Sequence, residues 1–161
     1  FLYYGEEIGL RGSRGGSNTD ANRRMAMLWG DGDTVRDPAG TTYTKQSTYT
    51  VRDLARIPTS LYNHYKQLLM LRRANPEIAR GEYTALCFED TKLGGFTCTW
   101  QGSTVAVLHN TTLQPVTVDL AAATDLRFTV VAGCAGEGAA ALEGSALTLG
   151  GQTSVVLRMG E

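Results

Sequence analysis

The stretch FLYYGEEIG at residues 1–9 decides how this chain is interpreted. Its first five residues, Phe1 to Gly5, are mostly apolar and aromatic, which predicts a β-strand. The acidic pair Glu6-Glu7 that follows predicts a polar turn at the end of that strand. Because the chain begins inside the predicted strand and has no starting Met, we expect it to be the C-terminal piece of a longer protein.

Composition favours β structure, and the near-neutral charge is compatible with a neutral partner such as a sugar without pointing to one. The chain has 161 residues, of which 42% are hydrophobic, so one or two small domains can bury a core. Charged residues make up only 19% and there are 19 glycines, which favours strands and turns over long surface helices. The net charge of −1 provides no field that would attract nucleic acid or an anionic membrane. No apolar run approaches the ~20 residues that span a bilayer.

Residues 10–59 are polar and irregular, with a Gly-rich stretch and several turn signals. Residues 60–75 form the clearest predicted helix, with Thr59 or Ser60 as its N-cap and Asn75-Pro76 at its end. Its apolar residues recur at spacings of three and four, as a helix with one buried face requires. They include Leu61, Tyr65, Leu68 and Leu69.

From Gly81 onward the hydrophobic period changes to two, which predicts short strands and therefore a sandwich or barrel. The predicted strands contain Phe96, Cys98 and Trp100, then Val105 and Val107, then Val116 and Val118, then Phe128 and Val130, and finally Val155 and Leu157. Predicted turns lie at Leu93-Gly94-Gly95, Gln101-Gly102-Ser103, Asn110-Thr111-Thr112, Gly136-Glu137-Gly138 and Gly150-Gly151.

Few residues suggest chemistry. Glu6 and Glu7 are adjacent, and neighbours at a strand end point to opposite sides, so a turn is favoured over a catalytic carboxylate pair. No Ser-His-Asp or Cys-His constellation is recognisable. The three cysteines lack metal-ligand spacing, and we expect Cys98 to be a buried thiol, although a Cys87–Cys98 bridge stays open.

The segment from Asp20 to Trp29 combines arginines, an acid and an aromatic residue in a loop. An arginine presents five donors in a fixed fork, which suits the grasp of vicinal hydroxyls or a carboxylate. The alternative is that Met25, Met27 and Trp29 form a loop core and the arginines are solvated. Residue types alone do not separate the two.

Three segments resemble the α-amylase family of glycoside hydrolases. Residues 1–9 resemble its last barrel strand, often written PFIYYGEEIGM, and residues 60–83 resemble its final barrel helix and exit. Residues 20–29 resemble its DENKRAPMQW stretch without a gap. The matching positions there are Asp20, Asn22, Arg24, Met27 and Trp29, and Met25, Ala26 and Leu28 depart from the pattern.

The resemblance implies an α+β fragment. It would comprise the end of a (β/α)8 TIM barrel, with the last strand, a long loop and the last helix, followed by an antiparallel all-β sandwich. We expect the boundary between residues 1–79 and 80–161. The parent would be a retaining hydrolase of α-glucosidic bonds, with an α-glucan or malto-oligosaccharide as its substrate.

The resemblance also implies roles for single residues. Arg24 matches an arginine that hydrogen-bonds a non-reducing sugar in glucosidase-like members, so it is the predicted substrate-binding residue, and Trp29 is expected to anchor the loop. The family's catalytic carboxylates follow earlier barrel strands. We therefore predict no catalytic residue, metal or cofactor in this chain, and no activity of the fragment alone.

Two other interpretations of the sandwich stay open, a glycan-binding accessory domain and a purely structural domain. Exposure of Trp100 would favour the first and its burial the second. Apolar residues of the barrel end, such as Phe1 and Leu61, would lack their neighbours, so the exposed barrel edge is expected to self-associate artefactually. Cytoplasmic and secreted locations both stay open.

Overall fold

The computed structural model separates into two compact units, Phe1–Lys66 and Gln67–Glu161. The boundary between them falls inside the longest helix. The division expected near residue 80 stays a prediction. The structure describes residues 1–13, 20–32, 35–43, 49–89 and 93–160.

The described residues of the first unit contain turns and helix but no strand. The strand expected from Phe1 to Gly5 is therefore wrong for this structure: the first three residues have no regular structure, and Tyr4 and Gly5 form a turn. A strand needs a neighbour to receive its backbone hydrogen bonds. No other strand is present among the described residues of this unit to supply one.

A small apolar cluster holds the first unit together. Ile8, Met27 and Leu54 are buried in it, and four partly buried side chains pack around them. These are Leu10, Leu28, Val51 and Tyr62. Short helical segments bring the cluster together. They are two 3₁₀ turns, Glu6–Ile8 and Ala21–Arg23, and helix α1, Val51–Ala55.

The predicted long helix is confirmed as α2, Leu61–Ala74. Ser60 is its cap, because its Oγ accepts a hydrogen bond from the Asn63 amide at 3.2 Å. Asn75 ends it, since its side-chain amide donates to the Leu71 carbonyl at 2.8 Å and Pro76 follows. No residue of α2 is buried, so its apolar stripe is largely uncovered.

The second unit is a two-layer antiparallel β sandwich. One sheet has the strand order β1-β2-β3-β8-β5 and the other has the order β4-β7-β6. A one-turn helix, α3, Glu77–Arg80, precedes β1. The strands are β1 Glu82–Leu86, β2 Leu93–Trp100, β3 Ser103–Asn110, β4 Val116–Asp119, β5 Phe128–Gly136, β6 Ala140–Glu143, β7 Ala146–Leu149 and β8 Thr153–Met159.

Residues from facing sheets form the main core. Leu108 and Leu157 of the five-stranded sheet are completely buried, as are Leu147 and Leu149 of the three-stranded sheet. Each fully buried leucine contributes roughly 1.5–3 kcal/mol relative to exposure, so this layer is the main source of stability for the unit. The alternation predicted from the sequence places Val118 of β4 and Val155 and Leu157 of β8 in this core. On β3 it is Ala106 and Leu108 that face the core, because Val105 and Val107 lie on the outer face.

The outer face of the larger sheet carries a second, smaller cluster. Cys98, Val105, Val107 and Val156 are buried there beneath side chains from the helical segment before β1. Those side chains are Leu71 and Ile78, and Phe96 packs beside them. All three cysteines are free, and Cys98 is the buried one, as expected.

A buried ion pair ties α3 to the sheet. Glu77 is 3% exposed, and its carboxylate accepts hydrogen bonds from Arg158 of β8 at 2.7 and 3.3 Å. Ser103 donates to the same carboxylate at 2.7 Å, and Arg158 also donates to the Asn75 side chain at 2.9 Å. The Arg158 hydrogen bond is the main reason why the pKa of Glu77 falls from 4.5 to about 2.

Two sequence predictions about the sandwich need correction. Leu93-Gly94-Gly95 lies inside β2 and is not a turn. Gly95 reaches the backbone of β3 so closely that an added Cβ would lie 2.3 Å from the Val107 carbonyl oxygen. The glycine therefore serves strand pairing rather than chain reversal. Strands β1, β6 and β7 were not predicted, because they have short or interrupted apolar alternation.

Candidate substrate-contact loop

The loop from Asp20 to Trp29 is the candidate functional site. It begins with the 3₁₀ turn Ala21–Arg23 and continues as irregular chain. Its side chains divide sharply between buried and exposed. Ala21, Asn22, Met25, Ala26 and Met27 are buried, whereas Asp20, Arg23, Arg24 and Trp29 are exposed. The loop is thus a fixed backbone that presents two arginines and a tryptophan to solvent.

Asn22 is the main polar anchor of the loop and is 1% exposed. Its side-chain oxygen accepts hydrogen bonds from the amides of Thr42 and Tyr43, at 2.9 and 3.1 Å. Its side-chain amide donates to the Thr42 hydroxyl at 3.0 Å, and its carbonyl accepts from the Ser13 amide at 3.1 Å. Asn22 therefore connects the loop to the segment at residues 42–43 through its side chain and to Ser13 through its backbone carbonyl.

Two further contacts fix the backbone around Met25, which is 1% exposed. The Tyr4 hydroxyl donates to the Met25 carbonyl at 3.1 Å. The Asp37 carboxylate accepts from the Ala26 amide at 2.8 Å. Ala26 stands where the resembling family usually has proline, and its amide is used here for a hydrogen bond that proline could not make.

Arg24 directly follows the 3₁₀ turn, and its side chain is 61% exposed. Its guanidinium pairs with the Asp20 carboxylate at 3.2 Å, and that carboxylate is also exposed. Such an exposed pair contributes little stability, so a ligand can compete with it at small cost. The pKa of Tyr4 is raised, mainly by burial and also by the neighbouring Tyr3. The positive charge of Arg24 lowers this pKa and so offsets part of the rise.

Trp29 does not anchor the loop through its ring, which corrects the sequence expectation. The residue is 56% exposed. Its backbone is held instead, since its carbonyl accepts from the Arg52 amide at 3.1 Å. The Arg52 side chain also pairs with Asp31. Met25 and Met27 supply the apolar anchor, as the alternative interpretation of this segment expected.

Glu6 and Glu7 form the turn that was predicted for them. Gly5, with a φ of 90°, precedes the turn, and its amide donates to the Glu7 carboxylate at 2.8 Å. Glu7 is therefore engaged locally by the backbone. Within the described ranges, no group of three or more His, Cys, Asp or Glu side chains is arranged to hold a metal ion.

Sequence reasoning selected Arg24 and missed most of what supports it. Tyr4, Asp37 and Thr42 hold the loop from 21, 11 and 20 residues away from their partners. Asp37 lies directly before Pro38. An aspartate before proline does signal a turn, but nothing in its local pattern indicates which distant amide it accepts from.

No helix in the described part of the chain is long and apolar enough to span a membrane.

The comparisons with known proteins agree on one group. No family model matches the chain. The alpha-amylase SusG of Bacteroides thetaiotaomicron is 40% identical over 86 residues, which cover 52% of this chain and 12% of that protein. The solved structure of Eubacterium rectale Amy13B superimposes with a TM-score of 0.82 at 28% identity, and covers all of this chain and 31% of that one.

The crystal structure of the alpha-amylase from H. orenii superimposes with a TM-score of 0.71 at 23% identity. The superposition covers 99% of this chain and 32% of the amylase, and it shows a shared fold only. The sheet-rich unit thus has the architecture of the C-terminal domain of α-amylases. The chain is similar to the C-terminal part of α-amylases, and it spans about a third or less of the length of the relatives it matches.

Proposed function

We propose that the chain is the C-terminal part of a retaining glycoside hydrolase that acts on the α-glucosidic bonds of starch-like glucans. The relative named as an alpha-amylase, SusG, supports this activity. In this proposal residues 1–79 are the end of a (β/α)8 barrel, with its last loop and helix, and residues 1–5 would form the last strand only beside neighbouring strands of the parent. Residues 80–161 are the sandwich that follows the barrel. The order of the three family-like segments along the chain supports the assignment.

Arg24 is the proposed substrate contact. The observation that carries this role is an exposed guanidinium on a loop whose backbone is fixed by buried Asn22 and Met25. A fixed backbone limits the entropy lost on binding, and the planar fork of arginine suits the hydroxyl groups of a sugar. In a barrel enzyme the loops after the strands surround the active site, so a loop after the last strand would form part of its rim.

The chemical step is proposed to depend on carboxylates outside this chain. A retaining glycosidase needs an acid/base and a nucleophile about 5–5.5 Å apart on either side of the scissile bond. Glu6 and Glu7 are poor candidates, because they occupy successive positions of a tight turn and Glu7 accepts from the Gly5 amide. The 161-residue chain is therefore expected to be inactive by itself.

Activity assays on the chain and on the full gene product test the proposal. We expect hydrolysis of malto-oligosaccharides by the full product and none by the chain. In the full product, Arg24→Ala should raise KM about tenfold or more with a smaller change in kcat, because a hydrogen bond to a charged group contributes about 1.5–3 kcal/mol. Arg24→Lys should recover only part of the loss.

Arg23→Ala is the matched control, because Arg23 is an exposed arginine one position earlier in the same loop. Equal effects of the Arg23 and Arg24 substitutions on KM would contradict the specific role of Arg24. Hydrolysis by the 161-residue chain alone would contradict the proposal that the catalytic carboxylates lie elsewhere.

A further inference from the structure

The outer face of the five-stranded sheet is only half covered. Leu71 and Ile78 lie over Cys98, Val105, and their neighbours. The same face continues toward the edge strand β1 and the far end of β3. Strand register places Tyr83, Phe96, His109 and Ser154 on this outer face, where Tyr83 is exposed and the other three are half-buried.

Aromatic rings form a row across three strands of this face. Tyr83 of β1 is 65% exposed, and its ring centroid lies 4.9 Å from that of Phe96 on β2. The Phe96 centroid lies 6.3 Å from the ring of His109 on β3. The cross-strand partners of Tyr83, Phe96 and His109 are Cys98, Val107 and Gly94, so each ring is displaced by two residues along the strands from the previous one. The row therefore runs diagonally across the three strands and is longer than one sugar ring.

A glycine leaves an open floor beside the rings. Gly94 is the direct cross-strand partner of His109 and lies two residues before Phe96, so all three share the outer face. A Cβ built at Gly94 would meet no atom within 4 Å. The sheet backbone is therefore accessible there, between the phenyl ring and the imidazole.

Polar atoms at the end of the row are available to a ligand. The His109 Nδ1 atom is 2.7 Å from the Ser154 hydroxyl, which fixes the ring. The other nitrogen, Nε2, has no partner among the described residues. No buried side-chain nitrogen or oxygen in that part of the chain lacks a partner, so Nε2 faces solvent. Burial lowers the pKa of His109, which favours the neutral imidazole at pH 7. The charged groups Arg158 and Glu77 elsewhere on the face are paired with each other.

We propose that Tyr83, Phe96, Gly94, His109 and Ser154 form an accessory binding surface for a single α-glucan chain, separate from the loop that carries Arg24. The choice of a glucan rests on the proposed function. The chemistry of the face supports it independently: neutral aromatic rings offer apolar area to the C–H faces of sugars, while Nε2 and the Tyr83 hydroxyl offer hydrogen bonds to their hydroxyl groups. A charged partner would find no complementary charge among these five residues.

This assignment refines the expectation about Trp100. That residue is half-buried beneath Arg80, whose guanidinium carbon lies 5.2 Å from the ring centroid. Trp100 thus belongs to the covered part of the face. The binding residues are instead placed on the exposed side of Phe96, at Tyr83 and His109.

Isothermal titration of the 161-residue chain with maltoheptaose tests the proposal, with cellohexaose as the β-linked control. We expect maltoheptaose to bind and Tyr83→Ala to weaken the binding about tenfold, the upper range for loss of one aromatic contact. Gly94→Thr should weaken it as strongly, because the new side chain fills the floor without removing a ring. Tyr49→Ala is the matched control, since Tyr49 is 66% exposed and lies outside this face.

Circular dichroism of each variant verifies that the sandwich is folded. The proposal is overturned if maltoheptaose does not bind, if cellohexaose binds equally well, or if neither Tyr83→Ala nor Gly94→Thr changes the affinity while both variants are folded. The full gene product separates this result from the proposed function. Hydrolysis by that product without binding at the face would overturn the accessory surface alone, whereas binding without hydrolysis would overturn the catalytic proposal alone.

Discussion

Removing the charge of Glu77 should change both the stability of the sandwich unit and its dependence on pH. The carboxylate is buried and bound by Arg158 and Ser103. Its pKa is about 2 in the folded unit, against the usual value of 4.5. At about 1.4 kcal/mol per pH unit, this difference corresponds to about 3 kcal/mol of folding free energy.

The sign follows from the lowered pKa. Between pH 4.5 and pH 2 the unfolded chain binds a proton at Glu77 that the folded chain does not bind. The stabilisation is therefore fully present above pH 4.5 and is lost as the pH falls toward 2. Glu77→Gln keeps the shape of the side chain and removes its charge, so we expect the variant to be about 2–3 kcal/mol less stable at pH 7.

Urea unfolding followed by tryptophan fluorescence measures this difference. The chain has two tryptophans, Trp29 in the first unit and Trp100 in the second. A Trp29→Phe background makes the signal specific to the sandwich unit. The wild-type and Glu77→Gln free energies of unfolding should converge as the pH falls from 4.5 to 2. Glu82→Gln, an exposed glutamate of β1, is the control and should leave the pH profile unchanged. The reasoning is refuted if Glu77→Gln and wild type have parallel pH profiles over that range.

Three further substitutions test the packing. Gly95→Ala should destabilise the sandwich by about 2–3 kcal/mol in urea unfolding, because the new Cβ would collide with the carbonyl of Val107. The neighbouring Gly94→Ala should change the free energy of unfolding by no more than about 0.5 kcal/mol, and equal effects of the two substitutions would contradict this reasoning. Asn22→Ala should cost the first unit about 2–3 kcal/mol and speed limited proteolysis of residues 20–43, and unchanged cleavage would argue against its anchoring role. Ser60→Ala should lower stability by about 1 kcal/mol through loss of the helix cap, measured by thermal unfolding at 222 nm, with Thr59→Ala as the control expected to have no such effect.

Local patterns predicted the elements whose cause is local. The spacing of apolar residues and the end signals at Ser60 and Pro76 were sufficient for helix α2. Alternation was sufficient for β3 and β8, whose inward residues are completely buried. It failed for β6 and β7, since small residues such as Ala140 and Ala146 give weak alternation and a strand of four residues offers few repeats.

The candidate loop likewise has one residue that a local pattern could identify and several supporting contacts that it could not. Arg24 could be selected because residues 20–29 align with a family pattern without a gap and match it at Arg24 and four other positions. Its supports could not, because each is a contact between residues 11 to 21 positions apart. The same holds for the ion pair between Glu77 and Arg158, which are 81 residues apart. A buried glutamate of this kind has no local signature that separates it from an exposed one.

The two features of the first unit that depart most from expectation have one physical cause. Phe1 to Gly5 have the composition of a buried strand, yet they form no ladder and Phe1 is fully exposed. Helix α2 has the periodicity of a packed helix, yet no residue in it is buried. The helix forms anyway because its hydrogen bonds are internal, whereas a strand depends on a neighbour for its own. Apolar faces of both kinds need partners that the described residues do not supply, and this is the physical argument behind the proposal that both segments belong to the end of a larger barrel.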